Sequence, residues 1–102
     1  MTADLVVADV ERLRGRLDAL DARLLAVLDA RLQCCLEIAQ AKSRHGLPMM
    51  APHRIGLVHA RARRYAEDHG IDPRFLRDIY ELVIAEACRL ENIAMAPTED
   101  LA

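Results

Sequence analysis

Arg31 stands where a helical seam calls for an apolar side chain. Val10, Leu17, Leu24, Arg31 and Ile38 follow one another at intervals of seven, the spacing of residues that share one helix face. Lys42 lies eleven residues after Arg31, about three turns and some 16 Å along the same face. Cys35 and Ile38 lie between the two cations. Cations on an apolar seam are costly unless something anionic meets them. That something could be Glu86 or Glu91 of the same chain, or water reached by snorkelling stems, or a bound anion.

More charge gathers near them. The stretch KSRHGLPMMAPHR, Lys42 to Arg54, is basic and broken by two prolines. Arg14 lies seventeen residues before Arg31, about 25 Å away and roughly a quarter-turn off its face. It does not easily serve the same site within one chain, but it could reach the site of a second chain if two long helices run antiparallel. Glu91 shares a helical face with Tyr80, Val83 and Ala87; it is either an exposed last-turn carboxylate or a partner for Lys42. No nucleophile–base pair, Gly-rich phosphate loop or spaced metal-ligand set occurs. A pocket of three or four cations and one carboxyl group suits a small dicarboxylate. No cofactor is called for.

The elements that position these residues are helices. Hydrophobic residues make up 53 % of the 102, yet only one Phe and two Tyr occur and no Trp. Ala, Leu and Arg dominate, which predicts an all-α chain. From about Leu5 to Ser43 there is no proline and a single glycine, so one long helix is expected. Gly46, Pro48 and Pro52 then mark a loop. A second helix is expected from His53 to His69, stopped at Gly70. A third starts at an Asp72 cap with Pro73 behind it and reaches about Met95. Residues 1–102 read as one domain, with about 5–95 ordered and the tail 96–102 frayed. The three cysteines, Cys34, Cys35 and Cys88, are expected as small apolar fillers of a helical core.

Length then predicts a partner. A 39-residue helix spans about 58 Å, while the two shorter ones cover about 25 and 35 Å. A compact chain of this size is only some 30 to 35 Å across. The first helix therefore cannot bury its stripe inside its own chain, and a homodimer is expected. The net charge of −2 excludes a general nucleic-acid binder. No apolar run approaches a membrane span and no leader peptide is visible. The expected location is the cytoplasm.

Taken in order, LRGRLDALDARLLAVLDAR, AKSRHGLP and APHR resemble the all-helical chorismate mutase family. The resemblance runs from about Val10 to Met95 and implies an intertwined three-helix homodimer. It implies an isomerase that performs a [3,3]-sigmatropic Claisen rearrangement without a cofactor. By position, Arg14 of the other subunit, Arg31, Lys42 and Arg54 would grip the two substrate carboxylates. Lys42 and Arg31, with Glu91, would stand at the reacting atoms, Lys42 facing the ether oxygen where negative charge grows.

Four positions depart from the family pattern. Ile55 stands where a Glu usually contacts the C4 hydroxyl, Ala51 replaces a frequent Asp, and Ala87 a small hydroxyl residue. Glu91 takes the place of a Gln beside the ether oxygen, so it must be either neutral or held by Lys42 and a substrate amine. The loop KSRHGLPMMAPHR, with CRLENIAM downstream, is similar to a narrower branch, the 4-amino-4-deoxychorismate mutases of antibiotic pathways leading to p-aminophenylalanine. Competing readings are a chorismate mutase, an isochorismate pyruvate-lyase and a non-catalytic regulatory helical dimer.

Overall fold

The first helix, α1 (Ala3–Arg44), begins at Thr2, whose hydroxyl accepts from the Leu5 amide at 3.3 Å. Asp4 near the start and Lys42 and Arg44 near the end complement the helix dipole. The computed structural model describes residues 2–95, and among these the elements are three helices: α1, α2 (Pro52–His69) and α3 (Pro73–Ala94). All three match the expected spans to within two residues. The expected tail, 96–102, lies outside the described residues.

Each helix stops for a stated reason. After α1, Gly46 takes a left-handed φ of 66°, which lets the Leu47 amide reach back to the Lys42 carbonyl at 2.8 Å and the Gly46 amide to that of Ser43 at 3.3 Å. This is a Schellman turn, and it reverses the chain directly above Lys42. Gly70, at φ 68°, ends α2 in the same way, with the Ile71 amide donating to the Ala66 carbonyl at 3.0 Å. A side chain at Gly70 would meet open space, so only the backbone resists one. Gly70→Ala is therefore expected to destabilise the fold by about 1 kcal/mol, the cost of holding an L-residue left-handed; denaturant unfolding measures it.

Asp72 caps α3, its carboxylate accepting from the Arg74 amide at 2.9 Å. Hydrogen bonds from the Arg74 side chain and backbone hold the Asp72 carboxyl below its ordinary range. Pro73 follows at the first helical position, where its missing amide costs nothing.

The chain divides into two compact units at Arg31 and Leu32, within α1. In the unit up to Arg31, the apolar stripe lies bare: Val10, Leu13, Leu17, Leu20 and Leu24 are all exposed, Leu17 and Leu24 at 55 % and 56 %. In the unit from Leu32 onward, α2 packs against α3. Its buried residues are Ala39, Ala62, Ala66 and Ala87. Alanine lets helix backbones approach closely but buries little apolar area. Ile55, Val58, Leu76, Ile79, Val83, Ile84 and Leu90 are half-buried around that seam.

The cysteines correct an expectation. Cys34 and Cys88 are exposed and Cys35 is half-buried, and none of the three forms a disulfide. They do not fill the core of this chain, because alanines occupy the close-packed positions instead.

Candidate functional site

Lys42 sits in the last turn of α1, half-buried. Its ammonium donates to the Met49 carbonyl at 3.2 Å. The Schellman turn at Gly46 and the rigid φ of Pro48 carry the chain back so that this carbonyl faces the lysine. Lys42 thus finds a neutral backbone acceptor, not the carboxylate that its seam position suggested. Glu86, offered as its possible partner, is committed elsewhere: Arg89 donates to both its oxygens at 2.6 and 2.7 Å. That contact, one turn along the same helix, draws the Glu86 carboxyl below its usual range.

The loop then delivers the second basic residue. Ala51 and Pro52 open α2, with the Ile55 amide bonded to the Ala51 carbonyl at 3.2 Å. Arg54 is exposed in this first turn, while Ala51 and Ile55 are half-buried. From α3 come Ala87, 6 % exposed, and Glu91, half-buried. Lys42, Ala51, Arg54, Ile55, Ala87 and Glu91 all belong to the unit from Leu32 onward.

Arg31 and Arg14 belong to the other unit. Arg31 is half-buried. Arg14 is 68 % exposed and its guanidinium donates to Glu11 at 3.1 Å, one turn back along α1. An exposed pair of this kind contributes little and releases its arginine readily.

The electrostatics of the loop are one-sided. Residues 38–66 contain no Asp or Glu, yet carry Lys42, Arg44, Arg54, Arg61, Arg63 and Arg64. Two carboxylates on α2 and α3 have their own cations: Glu67 takes Arg63 at 3.0 Å, and Glu81 takes Arg77 at 3.4 Å. No group of side chains among the described residues could hold a metal ion. What remains is a half-buried ammonium on a neutral acceptor, with an exposed guanidinium at the far end of its loop. Such an arrangement can receive an anion and polarise an oxygen, and it holds no poised nucleophile.

Two features escaped the sequence reading. The Met49 carbonyl is backbone, so no residue type announces it. His59, 18 % exposed, occupies an interior position on α2, and its buried Nδ1 has no protein partner. It borders a groove of about 500 Å³ with Arg63, Glu67, Pro73, Arg74 and Arg77. None of the candidate residues lines that groove, and Glu67, Asp72 and Glu81 balance its guanidinia. The one signal for His59 in the sequence is a polar residue at helical spacing from Ile55, Ala62 and Ala66.

Comparison with known proteins bears on this geometry. The chain is 57 % identical over 83 residues to a 4-amino-4-deoxychorismate mutase of Streptomyces pristinaespiralis, covering 81 % of this chain and 64 % of that protein. It therefore spans just under two thirds of that relative's length. A 4-amino-4-deoxychorismate mutase of Streptomyces venezuelae is 49 % identical over 88 residues, 86 % of this chain and 85 % of that one. The T-protein of Enterobacter agglomerans is 36 % identical over 87 residues, which cover 85 % of this chain and 23 % of that longer protein. No solved structure gives a significant match. The family model described as chorismate mutase type II matches residues 13–92, and the chain belongs to that family.

Proposed function

We propose that this protein rearranges 4-amino-4-deoxychorismate to 4-amino-4-deoxyprephenate, in a pathway that makes a p-aminophenylalanine-type antibiotic precursor. The observation that carries the reading is the identity, 57 % and 49 %, to two proteins named for that activity. The geometry agrees with the chemistry. In a [3,3] shift the C–O ether bond breaks as a C–C bond forms, and no proton or electron enters or leaves. A protein needs only to hold the reactive conformer and stabilise the charge that grows on the ether oxygen. Lys42 supplies the donor for that oxygen. Arg54 and Arg31 hold the carboxylates, with Ala51, Ile55, Ala87 and Glu91 around the ring.

The site is completed by a second copy of the chain. The bare stripe from Val10 to Leu24 supports this, since an apolar face of that extent marks an interaction surface. So does the small alanine core, which offsets too little of the chain's conformational entropy by itself. Antiparallel pairing of the two α1 helices along their whole length sets Arg14 of one protomer opposite the stretch between Arg31 and Lys42 of its partner. No helix of the described residues is long and apolar enough to cross a membrane, and the site sits in a protein acting on a small dissolved dicarboxylate.

Incubation with chorismate, with 4-amino-4-deoxychorismate and with isochorismate, each followed by product identification, tests the reading. The amino compound is expected to turn over with the higher kcat/KM and give aminodeoxyprephenate. Faster turnover of chorismate would make the protein a chorismate mutase in which Ile55 is a tolerated departure. Pyruvate released from isochorismate would mark a lyase, and inertness to all three would favour a regulatory dimer.

A further inference from the structure

We propose that Gly46 is a positioning residue for the reaction: its left-handed turn fixes the Met49 carbonyl, and that carbonyl aims the Lys42 ammonium at the ether oxygen. This rests on the reading that Lys42 is the donor to that oxygen. Gly46 acts through the lysine.

Lys42 clasps the loop twice. Its backbone carbonyl accepts from the Leu47 amide at 2.8 Å, and its ammonium donates to the Met49 carbonyl at 3.2 Å. Between those two points lies Pro48, whose ring leaves the chain little choice of path. Main chain and side chain of one residue are thus tied to the same loop, and the circuit passes through Gly46 at φ 66°. Residues 43–50 are all exposed. The circuit therefore leans on its own hydrogen bonds and backbone angles more than on packing.

A carbonyl suits this task better than a carboxylate. The long stem of a lysine is flexible, so an untethered ammonium samples a wide volume. Holding it near one point before the substrate arrives removes that search from the reaction. An Asp or Glu would hold it as well, but would cancel the charge that the ether oxygen needs. A carbonyl takes one of the three N–H bonds of an ammonium and leaves its charge whole. Being backbone, this acceptor is placed by φ and ψ alone, and a positive φ is what glycine supplies without strain.

The test is a cycle of variants of the full chain, with kcat and KM measured for 4-amino-4-deoxychorismate. Gly46→Pro cannot keep the turn, since the ring holds φ near about −65°. Gly46→Asn can, because Asn tolerates the left-handed region and a side chain at this position meets open space. Gly46→Pro is expected to lose roughly 10- to 10²-fold in kcat, the scale set by misplacing a catalytic group by about 1 Å. Gly46→Asn is expected to keep most of the rate. In the Lys42→Met background, Gly46→Pro is expected to cost little further, because the group it misplaces is already gone. Amide exchange reads the fold at the same time. Leu47 is expected to lose protection in Gly46→Pro, while Ile71, bonded to the Ala66 carbonyl at the end of α2, keeps it.

An unchanged kcat in Gly46→Pro would overturn the proposal. So would the same factor lost with and without the Lys42 ammonium, since the turn would then serve Arg54 or the fold. Gly46→Asn as damaging as Gly46→Pro would trace the effect to bulk in the loop and not to a backbone angle, and overturn it equally. Loss of Ile71 protection in Gly46→Pro would make Gly46 a folding residue instead. Failure of the underlying reading shows itself separately, before Gly46 is changed: a wild-type protein inert to the amino compound, or a Lys42→Met variant with full kcat, would remove the lysine's role and this inference with it.

Discussion

The Lys42→Met variant is expected to lose roughly 10²- to 10³-fold in kcat, the range seen when one preorganised donor to a developing oxyanion is removed. Methionine keeps most of the stem's length and apolar volume, so the change isolates the ammonium. The loss should fall mainly on kcat, because the charge that Lys42 meets is greater in the transition state than in the substrate. Lys42→Arg is not expected to restore the rate, since a planar guanidinium cannot reach the same point from the same backbone position. Steady-state kinetics on both variants decide the matter. A raised KM with unchanged kcat would reassign Lys42 to gripping a carboxylate. Lys42 also ties down the Met49 carbonyl, so Lys42→Met should lower thermal stability slightly as well. A large fall in stability without a fall in kcat would make the lysine a loop anchor.

How this fold and site could be seen in the sequence depends on which signals are local. The helices were legible because their boundaries are written in caps. Asp72 followed by Pro73 starts α3, Gly70 stops α2, and Gly46 stops α1 two residues past Arg44. The long α1 was legible from helical periodicity and from the absence of proline. Tertiary facts were harder. The heptad stripe of α1 was expected to need a second chain, and within one chain it is bare; the residues that are buried are alanines, which carry no periodic signal. Cys34 and Cys88 were misjudged for the same reason, as composition does not say which face of a helix is covered. Lys42 was singled out by its seam position. Its acceptor was not, because a carbonyl belongs to every residue and only the turn at Gly46 aims this one. Glu86 was a reasonable partner by type, but Arg89 is three residues away and wins by proximity.

Two inactive variants should restore each other when mixed, if Arg14 serves the partner's site. Arg14→Ala and Arg54→Ala homodimers are each expected to lose most activity, roughly 10²-fold or more, since each removes a charge-assisted contact to a substrate carboxylate. In a dimer that combines one chain of each kind, one site receives intact Arg54 from its own chain and intact Arg14 from the other. The second site collects both defects. Random exchange makes half the dimers mixed, and each mixed dimer has one good site of two, so about a quarter of wild-type activity should return. A purified heterodimer, co-expressed with two tags, should recover about half. Arg14 tests this cleanly because it is 68 % exposed and bonded to Glu11 of its own helix, so its loss is not expected to disturb folding. No recovery from dimers shown by sedimentation to be mixed would mean that Arg14 serves its own chain or none. A chain that sediments as a monomer with full activity would remove the shared site altogether and leave the exposed leucines of α1 without their partner.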